Sequence, residues 1–382
     1  FFSGYSIHAH PAFLSVVFGV VAAVAALSGP RWRWRVLLEW LALMSAATIL
    51  ALAMVEVALR VWDPPMSRGR VRSYARFSPE FGWLNRAGAE GWHVDIGYHI
   101  RINRHGHRGP DYPVKKSPGV FRILGLGDSL TFGWGVEEDQ TFLNVMKERL
   151  LKEGYRVEVL NAAVPAWHSV QSLHYLLKEG IRFQPDLVVM NFFVDEVFYT
   201  TIESLLKGEI AQRMRDEEAE IARDKGGMAR KLRLYNVWFN YRRIRRASRE
   251  LIRRNPYPDF ESERKALRRG FDKNPELVAG VEKVVSQWVA VRKKLGIPII
   301  FSFIPAGGAL NAPDYQGDRR VLRRASLASG FPFLDVVPLF EKQPNPRKLY
   351  LHPRDGHVSA AGHALIGEAL AQMVLKGGWL KK

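Results

Sequence analysis

The sequence predicts an α/β protein: a parallel-sheet domain preceded by two apolar membrane helices. From Phe121 onward, apolar runs of strand length alternate with longer helical patterns, which is how a parallel α/β sheet reads in sequence. The first of these runs, Phe121 to Leu126, passes directly into a Gly-Asp-Ser-Leu turn that sets Ser129 at its exit. In a parallel sheet the functional site lies outside the carboxyl ends of the strands, where Ser129 falls. At the other end of the chain, two long apolar segments precede all of this.

The first apolar segment, Pro11 to Ser28, carries no charge, and its 18 residues reach about 27 Å at 1.5 Å per residue, close to a bilayer's hydrocarbon thickness. The second covers Val36 to Trp62, with its apolar run held between Glu39 and Glu56. Those carboxylates are about 25 Å apart along a helix, so each can lie near one interface. A partner-facing charge is the other reading of these glutamates. Between the segments, Arg31-Trp-Arg-Trp-Arg35 is a basic loop that the positive-inside rule assigns to the cytoplasm, which sends both termini outward. Residues 1–62 therefore read as a membrane anchor of a bacterial-type inner membrane. The chain opens at Phe1 without a methionine, so two spans is a minimum.

Residues 63–117, rich in Arg, Gly, Pro and aromatics, read as a juxtamembrane link with short strands. His105 and His107 lie in it without a third ligand at metal spacing, so no metal site is expected. The domain proper is placed at 118–382, with strands at Phe121 to Leu126, Val157 to Leu160, Leu187 to Phe193, Ile297 to Ile304 and Phe331 to Val336. The principal helices are Gln140 to Lys152 and Glu276 to Leu295. A charged helical insertion interrupts it at about 200–273. Within the insertion, Arg230 to Arg254 carries ten basic residues against Glu250 alone, with Leu234, Val237, Trp238, Tyr241, Ile244 and Leu251 at helical spacing. Either that stripe packs on the domain and the arginines are solvated, or the helix lies against anionic headgroups or an acidic polymer.

The formal charge of +18 calls for a polyanionic neighbour. No nucleic-acid module accompanies it, so nucleic acid is not an expected partner and the bilayer is. The absence of cysteine excludes disulfides, thiolate catalysis and cysteine zinc sites. Gly125-x-Gly127 lacks the third glycine of a dinucleotide fingerprint, Leu130 standing there, and no cofactor is expected.

A serine hydroxyl is a poor nucleophile at neutral pH unless a base in a fixed tautomer takes its proton. The pair Asp355-Gly-His357, heading the amphipathic stretch that ends the chain, supplies such a base and its orienting carboxylate. The stretch Gly-Leu-Gly-Asp-Ser-Leu-Thr-Phe-Gly-Trp-Gly at 125–135, together with this pair, resembles the GDSL or SGNH hydrolase family over roughly Phe121 to Leu375. The resemblance implies a flavodoxin-like three-layer α/β/α fold and activity as an esterase, lipase, deacetylase or acyltransferase. It also implies Ser129 as nucleophile, His357 as general base and Asp355 as its orienting acid, with His363 structural. The oxyanion hole implied is the Ser129 backbone, Ala166 where the family has glycine, and Asp195 where it has asparagine. An ionised Asp195 aimed at an oxyanion repels it, and Asn191, four residues upstream, lies about 13 Å away along a strand and does not reach its place.

Two readings fit these residues. One is a membrane-anchored esterase or O-acyltransferase acting on acyl esters of an envelope glycan or lipid. The other is a catalytically quiet domain serving as a scaffold or subunit among other membrane proteins.

Overall fold

The computed structural model describes residues 33–64, 67, 74–93, 96–192, 201–223, 231–242, 271–305, 310, 316–351 and 355–380. The first apolar segment and Asp195 lie outside these residues. The described chain opens with helix α1, Arg33–Trp62, of which Trp34–Trp62 is long and apolar enough to cross a membrane and has none of its most apolar window buried. Two antiparallel hairpins come next: β1 (Ala75–Ser78) with β2 (Gly82–Asn85), and β3 (Glu90–His93) with β4 (Tyr98–Arg101).

The main sheet is formed by β5 (Phe121–Leu126), β6 (Val157–Asn161), β7 (Leu187–Phe192), β8 (Ile299–Phe303) and β9 (Phe333–Asp335). All neighbours are parallel, in the order β6-β5-β7-β8-β9. This is the flavodoxin-like order, with the chain reversing direction across the sheet beside β5. The sequence places all five strands, and the differences are at their ends. Pro298 and Pro332 flank the two that start later than expected, since proline offers no N–H to the ladder.

The helices after α1 are α2 (Ser129–Phe132), α3 (Phe142–Lys152), α4 (Ser169–Lys178), α5 (Ile202–Leu206), α6 (Glu209–Arg223), α7 (residues 233–242), α8 (Pro275–Leu295), α9 (Gly317–Ala328), α10 (Val337–Glu341) and α11 (Ala360–Lys376). Their boundaries obey local chemistry. Asn274 caps α8 through Glu276 and Leu277 N–H, Pro275 occupies its first turn, and Gly296 ends it in the left-handed region at φ 67°.

One sheet face buries Leu124, Met190 and Phe301 against α4, α8 and α9, with Trp288 at the centre. The other buries Ile123, Val189 and Ile300 against α3 and α11. Strands covered on both faces explain why they read as unbroken apolar runs rather than alternating ones.

Of the insertion's described helices, α5 and α6 contribute Leu205 and Ala211 to the margin of the first of these cores. Helix α6 lies on the β1–β2 hairpin, where Glu218 pairs with Arg86 at 2.7 Å and the Arg215 guanidinium stands over the Phe77 ring. Glu56 of α1 accepts the N–H groups of Arg233 and Leu234, the first turn of α7, at 3.0 and 2.9 Å. Glu56 therefore faces a partner element within its own chain.

Candidate active site

Strand β5 is an interior strand, paired with β6 and β7, and the turn at its carboxyl end is shaped by one glycine. Gly127 has φ 141°, and a Cβ there would lie 2.5 Å from Thr131 Oγ1 and 3.1 Å from the Asn191 carbonyl, so a side chain does not fit the turn. Asp128 then caps α2, its Oδ1 accepting the Leu130 N–H at 2.9 Å. Burial pushes the Asp128 carboxyl up to about 6, against the pull of the Leu130 N–H and of His357. Ser129 occupies the first position of α2, partly exposed at the carboxyl edge of the sheet.

The structure brings the three distant residues together. His357 Nε2 lies 2.8 Å from Ser129 Oγ, across 228 positions of sequence. On the other side of the ring, Nδ1 hydrogen-bonds Asp355 Oδ1, which also accepts the His357 backbone N–H at 2.8 Å. Burial raises the Asp355 carboxyl, but its hydrogen bonds and the charge of His357 outweigh this and hold it below the usual range, with a smaller contribution from Trp134. The loop is fixed at both ends: Leu351 N–H donates to the His357 carbonyl, and Ser359 caps α11.

Two further residues hold this geometry. The Trp134 ring lies 5.7 Å from the His357 ring, tilted 33°, and is itself wedged edge-on against His93 at 4.8 Å. Arg108 is buried beneath the turn that follows α2 and carries Trp134. Its guanidinium donates to the carbonyls of Phe132 (2.7 Å), Gly133 (2.5 Å) and Val136 (2.6 Å) and stands 4.9 Å from the Phe132 ring centre. It thus caps the carboxyl end of the very helix whose amino end bears Ser129. Sequence reasoning misses both residues. Trp134 is signalled only by its two flanking glycines, and nothing in the linear pattern sends the Arg108 side chain inward.

Ala166 is exposed, in the turn between β6 and α4, with φ 62°. The backbone at Ala166, where the resemblance expects a glycine, is thus left-handed. Asn191 is fully buried, its Oδ1 accepting from Ser302 Oγ at 2.9 Å. His363 lies 1% exposed with its ring stacked on Phe142 and Nδ1 accepting the Phe142 N–H, and burial drives its imidazole down to about 3. His107 is held between the hydroxyls of Tyr112 and Tyr175, and His105 Nε2 meets the Tyr112 carbonyl at 2.9 Å.

A serine, an imidazole and a carboxylate in line at the carboxyl edge of this sheet define a chain of the serine-hydrolase class. The family model described as GDSL-like Lipase/Acylhydrolase matches residues 126–365, well over half of the sequence, and the chain belongs to that family. Among solved structures, similar ones include a lipase/acylhydrolase from Enterococcus faecalis, at 16% identity and a TM-score of 0.40, covering 68% of this chain and 97% of that one. An acetylxylan esterase, Axe2, from Geobacillus stearothermophilus is similar at 12% identity and a TM-score of 0.38, covering 69% and 97%. No curated protein matches.

Proposed function

We propose that this chain is a membrane-anchored serine esterase or O-acyltransferase, working on acyl esters of an envelope glycan or lipid on the outer side of the cytoplasmic membrane. The observation that carries the reading is the hydrogen-bonded series from Ser129 through His357 to Asp355. Nε2 of His357 takes the hydroxyl proton as Oγ attacks the acyl carbonyl, and Asp355 fixes the tautomer and supports the imidazolium. The protonated ring then donates to the departing alkoxide, leaving an ester on Ser129. Water releases the acyl group in an esterase and a sugar hydroxyl accepts it in a transferase, the ring serving as base in either case.

The Ser129 N–H, at the first turn of α2, and the Ala166 N–H supply the oxyanion donors of this reading. Helix α1 is the anchor of this reading, and the basic residues at its amino end, Arg33 and Arg35 in its first turn, favour a cytoplasmic start and an outer domain by the positive-inside rule. Asp195, in the family's asparagine position, favours the second reading, a quiet scaffold domain in a membrane complex.

Labelling of the full chain in detergent by a fluorophosphonate probe separates the two. The enzyme reading expects labelling that falls by at least about 10³-fold in both Ser129→Ala and His357→Ala. Absence of labelling in folded native protein, restored by Asp195→Asn, would establish the scaffold reading instead.

A further inference from the structure

We propose that α7 is an interfacial helix that lies in the headgroup layer of an anionic bilayer beside the outer end of α1, holding the hydrolase domain against the membrane surface. The proposal rests on the reading of α1 as a membrane span and adds a second contact to it.

The rotation of α7 about its own axis is the first observation. Its inward face is polar: Asn240 is 1% exposed, Asn236 Nδ2 donates to the Ser67 carbonyl, and Arg233 pairs with Asp63 at 3.0 Å. Its outward face carries the aromatics, with Trp238 51%, Phe239 44% and Tyr241 53% exposed. Two members of the sequence's apolar stripe, Trp238 and Tyr241, thus point away from the protein, because Glu56, Asp63 and Ser67 fix the opposite face. Tyr235 bridges this surface, its ring 5.9 Å from Trp238 and 6.0 Å from Phe239, and the Arg242 guanidinium stands 4.9 Å over Trp238. Tryptophan, tyrosine and arginine together are the chemistry of the membrane–water interface, where a ring sits among glycerol groups and a cation meets phosphate.

Depth is the second observation. A span needs about 20 residues, which Val36 to Val55 supply at 1.5 Å each, with Glu39 in the first turn of the span near the inner interface. Glu56 then marks the end of the hydrocarbon, and the two turns beyond it, ending in the exposed Val61 and Trp62, rise through the headgroups. Those turns are where α7 is attached, through Glu56 to its first N–H groups and through the Arg60 guanidinium to the Lys231 carbonyl. The attachment sets the exposed aromatics at headgroup depth.

The chain has no cysteine, so a single introduced one takes a nitroxide label cleanly. The full chain, reconstituted at one copy per vesicle in phosphatidylcholine with phosphatidylglycerol, is labelled at Trp238→Cys or Phe239→Cys. Leu43→Cys reports the middle of α1, and Leu151→Cys reports an exposed site on α3. The expected result is collision with a water-soluble nickel complex on the order of fivefold slower at 238 and 239 than at 151, with faster collision by oxygen. Nickel access at 238 and 239 equal to that at 151, while 43 stays shielded, would overturn the proposal and leave the anchor intact. Nickel access at 43 itself would remove the anchor and the proposal together. Shielding that emerges only at several copies per vesicle would assign the face to a second copy of the chain and equally overturn it.

Discussion

Arg108 places a permanent positive charge under the nucleophile's helix, and burial lowers the guanidinium's hold on its proton, against the pull of Glu138 and other carboxylates nearby. Its role is to satisfy three carbonyls that face no water. Arg108→Met keeps most of the volume and removes every donor, so the full chain is expected to lose about 3 kcal/mol, measured from its urea midpoint. Ala166 is the opposite case. A φ of 62° strains any L-residue with a Cβ, and Ala166→Gly is expected to gain about 0.5–1 kcal/mol in the same assay with fluorophosphonate labelling undiminished. At this scale the sequence is legible where chemistry is written as a motif. Ser129, Asp355 and His357 declare themselves by residue type and neighbours. Arg108 does not, because a buried arginine and a solvated one look alike until its carbonyl partners are known.

Elements are legible to the extent that their environment is uniform. The interior strands of the main sheet, β5, β7 and β8, are buried and mostly apolar on both faces, and helices α3 and α8 carry clear caps, so pattern alone locates them. Helix α7 is visible in its period but its orientation is not, since the polar contacts from α1 that rotate it come from residues 170 or more positions away. The Glu56 carboxylate adds a negative charge at the amino end of α7, where the helix dipole favours it. Glu56→Gln keeps an acceptor and removes that charge. It is expected to weaken the docking of α7 by about 0.5–1 kcal/mol, read as faster motion of a nitroxide at position 238.

For the molecule as a whole, acid is the informative stress. His107 and His363 are driven by burial to about 3 from an ordinary 6.5, so the unfolded chain binds protons there that the native chain refuses. Stability from these groups is complete above 6.5 and is lost as pH falls toward 3, at up to about 1.4 kcal/mol per pH unit for each. Asp355, held below its ordinary range, acts in the same direction. Asp128 opposes them: raised from 3.8 to about 6, it makes stability fall as pH rises through that window. Two histidines against one carboxyl leave a net loss in acid. The urea midpoint is therefore expected to fall steadily from pH 6.5 to 4.5, and to fall less steeply in His363→Gln.

The guanidinium of Arg108 also bears on modularity. The family match begins at Leu126, yet the loop that carries Ser129 and Trp134 is propped by a side chain 18 positions upstream of that boundary, from the stretch between the hairpins and the main sheet. The hydrolase unit is therefore not a cassette that can be excised at its family boundary and fused elsewhere. A transplant beginning at residue 118 leaves its own keystone behind, because the segment before the family boundary and the catalytic loop are built as a single part.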